Sequence, residues 1–335
     1  MVSAILQFAL AAAVVIVAGY FLTRAADRIA DLTGLGRLLV GSVLLAGATS
    51  LPELSVDVSA AIKGLHDIAV GDLLGSSLAN LLILAVADVA HKKRGWMLSR
   101  ASAAHAISGV MSMLLTAIVG VMILSRFGVS LLGVGAGSAV VFTAYALGIR
   151  IVYYDQRFAR EKAKKEGAVQ ALPSKDARRP ALLRAIVQFA AAAAAIVATA
   201  PFVADAAGTI AELSGLGGTF IGTTLVAFST SLPELVSTIA AVRLGAYDLA
   251  IGNIFGSNAF NMAMLLPVDI ASKGPLLSSV STTHAVTALW VVIITSVAVI
   301  GELYHVERRK RLLEPDAIMV IALVLLALLT IYRMR

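Results

Sequence analysis

Two glutamates stand inside long apolar stretches of this sequence, each directly after a proline. Glu53 ends the run Gly47-Ala-Thr-Ser-Leu-Pro-Glu, and Glu234 ends the run Phe228-Ser-Thr-Ser-Leu-Pro-Glu. Neither run contains a lysine or an arginine that could balance the charge. A carboxylate is costly in lipid, so its presence in an apolar segment indicates a function. Carboxylate and hydroxyl oxygens are the ligands that hard cations such as Na⁺ and Ca²⁺ prefer.

The prolines add backbone oxygens to this chemistry. Proline has no N–H, so the carbonyls of Ala48 and Ser229, four residues earlier, lose their helical partners. Lipid cannot satisfy a freed carbonyl, and the sequence therefore predicts two broken helices whose oxygens face protein, water or an ion. The alternative is that Ser, Thr and Asn join helices and that proline only bends them, but it does not explain the repeated glutamate.

Polar residues at four-residue spacing follow each glutamate. The sets are Asp72, Ser76 and Asn80 in the first copy and Asn253, Ser257 and Asn261 in the second. Residues at i, i+4 and i+8 share one face of a helix. Each copy therefore offers hydroxyl, amide or carboxylate oxygens on one helix face. Glycines at 71, 75, 252 and 256 would let neighbouring helices approach closely.

The two copies belong to one long internal repeat. The same 181-residue offset separates Glu53 from Glu234 and Asn80 from Asn261, and about 22 of 56 positions are identical between 34–89 and its counterpart. Gln7-Phe8 returns as Gln188-Phe189 at that offset, so each repeat is a whole unit. Five spans per unit place the second unit in the opposite orientation, the plan of secondary transporters with a midplane site.

The composition sets the class of protein. The chain is 59% hydrophobic and 14% charged, with a mean hydropathy of +0.91. These values predict a polytopic helical membrane protein. Together with the apolar runs and the repeat, they predict an all-α fold of ten helices in two inverted five-helix repeats. The first apolar run is interpreted as a span and not as a removed signal. The chain has no cysteine, which excludes disulfides and thiol catalysis, and the net charge of +7 gives no argument for nucleic acid.

The predicted spans and domains follow from hydropathy. The spans are 3–23, 36–62, 68–90, 103–125, 128–152, 182–206, 217–242, 249–270, 282–303 and 315–333. The domains are 1–154, the first repeat with motif 46–80; 155–180, a cytoplasmic connector; and 181–335, the second repeat with motif 227–261. Lys and Arg concentrate in the loops after the odd-numbered spans, which places these loops in the cytoplasm and both termini outside a plasma membrane.

The paired motifs resemble the alpha-repeats of the calcium/cation antiporter superfamily, especially its sodium/calcium exchanger branch. The resemblance covers nearly the whole chain and implies that Glu53 and Glu234 are the central ion-binding carboxylates. It further implies, as ligands, Thr49, Ser50, Ser76, Asn80, Thr230, Ser231, Ser257 and Asn261, with the backbone carbonyls of Ala46 and Ala227. It also assigns the Ala-rich spans 1 and 6 to a moving layer.

The chain departs from the family pattern at several of these positions. The family usually has Asn where this chain has Asp72 and Ser77, and many members have Asp where this chain has Asn80 and Asn261. By resemblance, potassium-dependent exchangers carry an acid at the last two positions. The amides found here therefore predict exchange that does not require K⁺.

Two sets of further acids have no fixed role from sequence. Asp57 and Asp72 lie one turn from Glu53 and Ser76, where the second repeat has the neutral Thr238 and Asn253. Asp72 is a candidate ligand, and both acids would attract external cations; pairing with Lys63 or capping of a helix end is the alternative. Asp88 and Asp269, again 181 residues apart, would hydrate an ion path or solvate helix ends.

Three functions are compatible with this sequence. The first is a Na⁺/Ca²⁺ antiporter that works by alternating access at a midplane site of oxygen ligands. The second keeps the site and couples Ca²⁺ or another divalent cation to H⁺, because two nearby carboxylates favour protonation. The third is a cation channel or a non-transporting scaffold. We expect no enzyme and no cofactor; Ca²⁺, Na⁺ and the lipid bilayer are the expected partners of a functional monomer.

Overall fold

The computed structural model describes residues 1–90, 103–131, 133–166, 174–213, 229–303 and 315–334. Ten long helices are present in these ranges, and they are numbered here in chain order. They are α1 Val2–Thr33, α2 Arg37–Ile62, α3 His66–Ala90, α4 Ala103–Leu124, α5 Ala136–Lys165, α6 Lys175–Leu213, α7 Leu232–Arg243, α8 Tyr247–Ser272, α9 Thr283–Leu303 and α10 Pro315–Arg333. A one-turn helix, Leu276–Ser279, and a hairpin of β1 Ser130–Leu131 and β2 Val134–Gly135 complete the fold.

The helices confirm an all-α polytopic membrane protein. Eight of the described helices are long and apolar enough to cross a membrane, and α10 contributes a shorter apolar helix, Ala317–Arg333. The described part of α7 has 12 residues, and the first part of the predicted span 217–242 lies outside the described residues. Each predicted span thus overlaps one helix of the described ranges, although α1 and α6 are much longer than predicted.

Helix α8 lies at the centre of the molecule and packs against α2, α3, α4, α5 and α7. It approaches α2 closely at and beside a π-helical segment, Val40–Leu45. A methyl group on Gly252 would come within 2.6 Å of the Leu38 carbonyl, and one on Gly256 would overlap Ser42 Cα. Glycine at these two positions allows the backbones of α2 and α8 to touch, as the sequence predicted for 252 and 256.

Helices α1 and α6 form a separate outer layer, in which each packs mainly along the other. In the most apolar stretch of α6 only 17% of the residues are buried, whereas in that of α8 89% are buried. Alanine-rich faces with few polar groups meet along this layer, which also packs against α2 and α7. Its position outside the central helices is compatible with the moving layer that the family resemblance implies.

Two local expectations were wrong. Helix α2 continues through Pro52, so that proline removes one hydrogen bond without ending the helix, and the irregular segment lies upstream at Val40–Leu45. In the second repeat the helix does break, because Ser231 adopts a turn and Pro233 stands in the first turn of α7. The predicted span 128–152 also begins later than expected, since the hairpin occupies its first residues.

Histidine–aspartate contacts join the repeats at related positions. His284 Nε2 lies 3.0 Å from Asp67 Oδ1 at the start of α3, and His105 Nε2 lies 3.1 Å from Asp248 Oδ1 at the start of α8. The two aspartates are 181 residues apart. These pairs connect α9 to α3 and α4 to α8.

Asp269 has a structural role. Its carboxylate accepts hydrogen bonds from the backbone N–H of Gly135 at 2.7 Å, from Ser138 Oγ at 2.6 Å and from the Leu276 N–H at 3.1 Å. The side chain is 1% exposed. It therefore ties the hairpin and the loop after α8 to the helix end.

Candidate cation-binding site

The two central glutamates lie where α2, α3, α7 and α8 pack against one another. Glu53 is fully buried on α2. Its Oε1 accepts a hydrogen bond of 2.7 Å from Ser76 Oγ on α3 and a longer one of 3.3 Å from Ser231 Oγ, just before α7. Glu53 is therefore held by hydroxyls from both repeats.

Glu234 occupies the corresponding place on α7 and is also fully buried. Ser50 Oγ on α2 donates to its Oε1 at 3.0 Å, and the side chain of Thr49 adjoins the same carboxylate. Each glutamate is thus bonded to a serine of the other repeat's Thr-Ser-Leu-Pro-Glu motif. This reciprocal pattern follows from the inverted repeat, and it brings the motifs together across the molecule.

Amide side chains connect α3 and α8 beside the glutamates. Asn80 Nδ2 donates to Asn258 Oδ1 at 3.0 Å, and Asn258 Nδ2 donates to the Ser77 carbonyl at 3.2 Å. Asn261 Nδ2 donates to the Leu73 carbonyl at 3.4 Å. The amide nitrogens of Asn80 and Asn261 are directed to the opposite repeat, so their oxygens remain for another partner.

Five oxygens of the predicted ligands are buried and have no hydrogen-bond donor among the residues that the structure describes. They are Glu53 Oε2, Glu234 Oε2, Asn80 Oδ1, Asn261 Oδ1 and Ser257 Oγ. A buried acceptor without a donor, and above all a buried carboxylate, costs free energy. A desolvated Na⁺ or Ca²⁺ ion would satisfy carboxylate, amide and hydroxyl oxygens together. The donor set therefore fits a hard cation.

Carboxylates alone do not make this site. Within the described ranges, no three histidine, aspartate or glutamate side chains converge on a metal-binding group. An ion held here would need hydroxyl, amide and backbone oxygens beside the two glutamates. A ligand set with fewer charged groups binds a cation less tightly than one made of several carboxylates.

The structure places the sequence-predicted residues as follows. Thr230 is buried beside the break before α7, and the Ala46 carbonyl accepts a hydrogen bond of 3.1 Å from Thr49 Oγ1. Ala227 lies outside the described residues. Asp72 does not contact the central glutamates directly; it meets Asp57 one turn away.

Sequence reasoning missed Asn258. It lies in α8 at the position equivalent to Ser77, and it is fully buried between Asn80 and the backbone of α3. An Asn next to a ligand in a repeated Gly-Ser motif was the available signal. The first copy has Ser77 at this position, so the repeat alone does not indicate an amide ligand there.

The comparison with known protein families shows the family to which this chain belongs. The family described as sodium/calcium exchanger protein matches residues 3–153 and 184–333, that is, nearly all of both repeats. The chain belongs to this family. Family members move Na⁺ and Ca²⁺ across membranes, so the expectation of a cation transporter, and not an enzyme, agrees with the relatives.

Individual relatives agree with this assignment. The chain is 31% identical over 237 residues to inner membrane protein YrbG of Escherichia coli, covering 70% of this chain and 69% of that protein. It is 49% identical over 73 residues to the sodium/calcium exchanger MaX1 of Methanosarcina acetivorans, covering 22% and 21%. The structure of the sodium-calcium exchanger NCX_Mj soaked with 10 mM Na⁺ superposes with a TM-score of 0.73 at 20% identity over 98% of both chains, which shows the shared fold.

Proposed function

We propose that this exchanger couples Na⁺ entry to Ca²⁺ export at the site between Glu53 and Glu234. The observation that carries the proposal is the set of five buried oxygens without donors, two of them on carboxylates. One Ca²⁺ ion neutralises the two carboxylates. Several Na⁺ ions bound to the same oxygens, in place of Ca²⁺, would also neutralise the two carboxylates.

Alternating access follows from this charge balance. With no ion bound, two buried carboxylates repel each other and favour contact with water. With ions bound, the charge is compensated and the site can close. The glutamates lie on α2 and α7, which pack against the outer α1–α6 layer. We propose that this layer moves over the loaded site and opens it first to one side and then to the other.

Coupling to H⁺ is the second candidate. Neither Glu53 nor Glu234 has a basic partner among the described residues, so protons could neutralise them instead of Na⁺. The test is uptake of radioactive calcium into proteoliposomes under one gradient at a time. We expect uptake with a Na⁺ gradient at uniform pH and without K⁺. Uptake driven by a pH gradient in the absence of Na⁺ would favour the H⁺ alternative, and a strict K⁺ requirement would contradict the argument from Asn80 and Asn261.

The proposed topology places both termini outside the plasma membrane and the α5–α6 connector in the cytoplasm. Single-cysteine labelling can test it without background, because the chain has no native cysteine. In intact cells, a membrane-impermeant maleimide should label Leu65→Cys, in the α2–α3 loop, and should not label Lys164→Cys until the cells are opened. Both side chains are exposed. The reverse pattern would invert the orientation argued from Lys and Arg.

A further inference from the structure

A second pair of acids lies one helical turn from the central glutamates. Asp57 follows Glu53 by four residues on α2, and Asp72 precedes Ser76 by four residues on α3, so both lie about 6 Å toward the α2–α3 loop. Their carboxyl groups meet within hydrogen-bonding range. Asp57 is fully buried, and both of its oxygens, with Oδ2 of Asp72, have no donor.

The basic side chain that the sequence suggested as a counter-ion does not pair with these two aspartates. Lys63, which the sequence offered as a counter-ion, is exposed in the loop. No basic side chain within the described parts of the chain forms an ion pair with either aspartate. Two ionised carboxylates that face each other in a buried position cannot satisfy one another, since neither supplies a donor. The pair is satisfied either by a bound cation or by a proton that the two carboxyl groups share.

The second repeat shows what this position looks like without acids. Thr238 and Asn253 are the 181-residue counterparts of Asp57 and Asp72, and both are fully buried. Asn253 Nδ2 donates to Thr238 Oγ1 at 3.2 Å, so the neutral pair joins α7 to α8 through its own hydrogen bond. The fold therefore does not require acids at this position, and helix packing alone does not explain why the first repeat has two.

We propose that Asp57 and Asp72 form a second cation site, which takes one divalent cation on the side of the α2–α3 loop. Two carboxylates supply the charge of −2 that such an ion needs and up to four oxygens. Asp72 is only partly buried, so water can complete the six to eight oxygen ligands that Ca²⁺ prefers. The site is distinct from the central one, which lies one helical turn away along α2 and α3.

The placement gives this second site a role in delivery. By the proposed topology, the α2–α3 loop faces outside, so an external cation meets Asp57 and Asp72 before the glutamates. The second repeat has only neutral groups at the equivalent inner position. The exchanger is therefore asymmetric, with an extra divalent-cation site on its outer side. This role depends on the proposed function and topology, whereas the existence of the site does not.

The test is equilibrium dialysis of the purified full chain in detergent with radioactive calcium as the probe. We expect the wild type to bind one more Ca²⁺ per chain than Asp57→Thr/Asp72→Asn, which copies the neutral pair of the second repeat. Thr238→Val is the matched control, because it breaks the equivalent hydrogen bond without removing an acid, and it should bind as many Ca²⁺ ions as the wild type. A melting curve of each variant checks that it is folded.

The proposal is overturned if the double variant binds as many Ca²⁺ ions as the wild type with the same affinity. If the double variant does not fold, Asp57→Asn alone is used, because it keeps the shape of the side chain. The proposal then requires that the Ca²⁺ affinity of one class of binding site falls by about 10-fold or more, roughly the cost of one lost charge-assisted contact. Glu53→Gln/Glu234→Gln separates the two sites. It should retain the Asp57–Asp72 ion, and unchanged total binding in that variant would contradict the central site instead.

Discussion

Replacing Glu53 or Glu234 by glutamine should abolish Na⁺-dependent Ca²⁺ transport. Glutamine keeps the size of the side chain and removes its charge. A Ca²⁺ ion would then be balanced by a single central carboxylate in a buried position, where an uncompensated charge costs several kcal/mol. We expect the transport rate to fall by about 100-fold or more, since each 1.4 kcal/mol is a factor of ten.

The control for these variants is Glu161→Gln. Glu161 forms an exposed ion pair with Arg157 on α5, far along the sequence from either motif. Exposed pairs contribute little to stability, so this variant should transport at the wild-type rate. A folded Glu53→Gln or Glu234→Gln protein with normal Ca²⁺ flux would contradict the assignment of these carboxylates.

Ser76→Ala should weaken the apparent affinity for transported cations without unfolding the protein. Ser76 Oγ gives Glu53 its short hydrogen bond of 2.7 Å, and Ser231 at 3.3 Å cannot replace it fully. A hydrogen bond to a charged group contributes about 1.5–3 kcal/mol. The expected loss is therefore about 10- to 100-fold in the Ca²⁺ concentration that gives half-maximal transport.

The neighbouring serine provides the matched control. Ser77 is equally buried on α3, but its hydroxyl donates to the Leu73 carbonyl of its own helix at 2.9 Å. Ser77→Ala should leave the cation affinity close to that of the wild type. Equal losses in the Ser76 and Ser77 variants would show that the effect arises from packing of α3 and not from a contact with Glu53.

The repeat made much of this architecture predictable. A constant 181-residue offset pairs Glu53 with Glu234, and an odd number of spans per repeat predicts that the motifs face each other. The structure brings them together through Ser50 and Ser231. The four-residue spacing of Ser76 and Asn80 predicted a shared helix face, and both side chains do contact partners on other helices.

The remaining features depend on how the two repeats pack, which no local pattern records. The π-helical segment of α2 lies where Gly252 and Gly256 press against its backbone, and that contact joins residues about 200 positions apart. Asn258 gains its role only from Asn80 on the other repeat. Helix α2 passes through Pro52, whereas the equivalent helix breaks at Ser231, so symmetry in sequence did not predict symmetry in local structure.

The most direct measurement follows both ions at once. Proteoliposomes that contain the protein are loaded with radioactive calcium and diluted into buffer with either labelled Na⁺ or choline. An exchanger with its site at Glu53 and Glu234 should release Ca²⁺ only into the Na⁺ buffer, with Na⁺ uptake that stops in the Glu53→Gln/Glu234→Gln variant. Equal Ca²⁺ release into choline, as through a channel, would contradict the account.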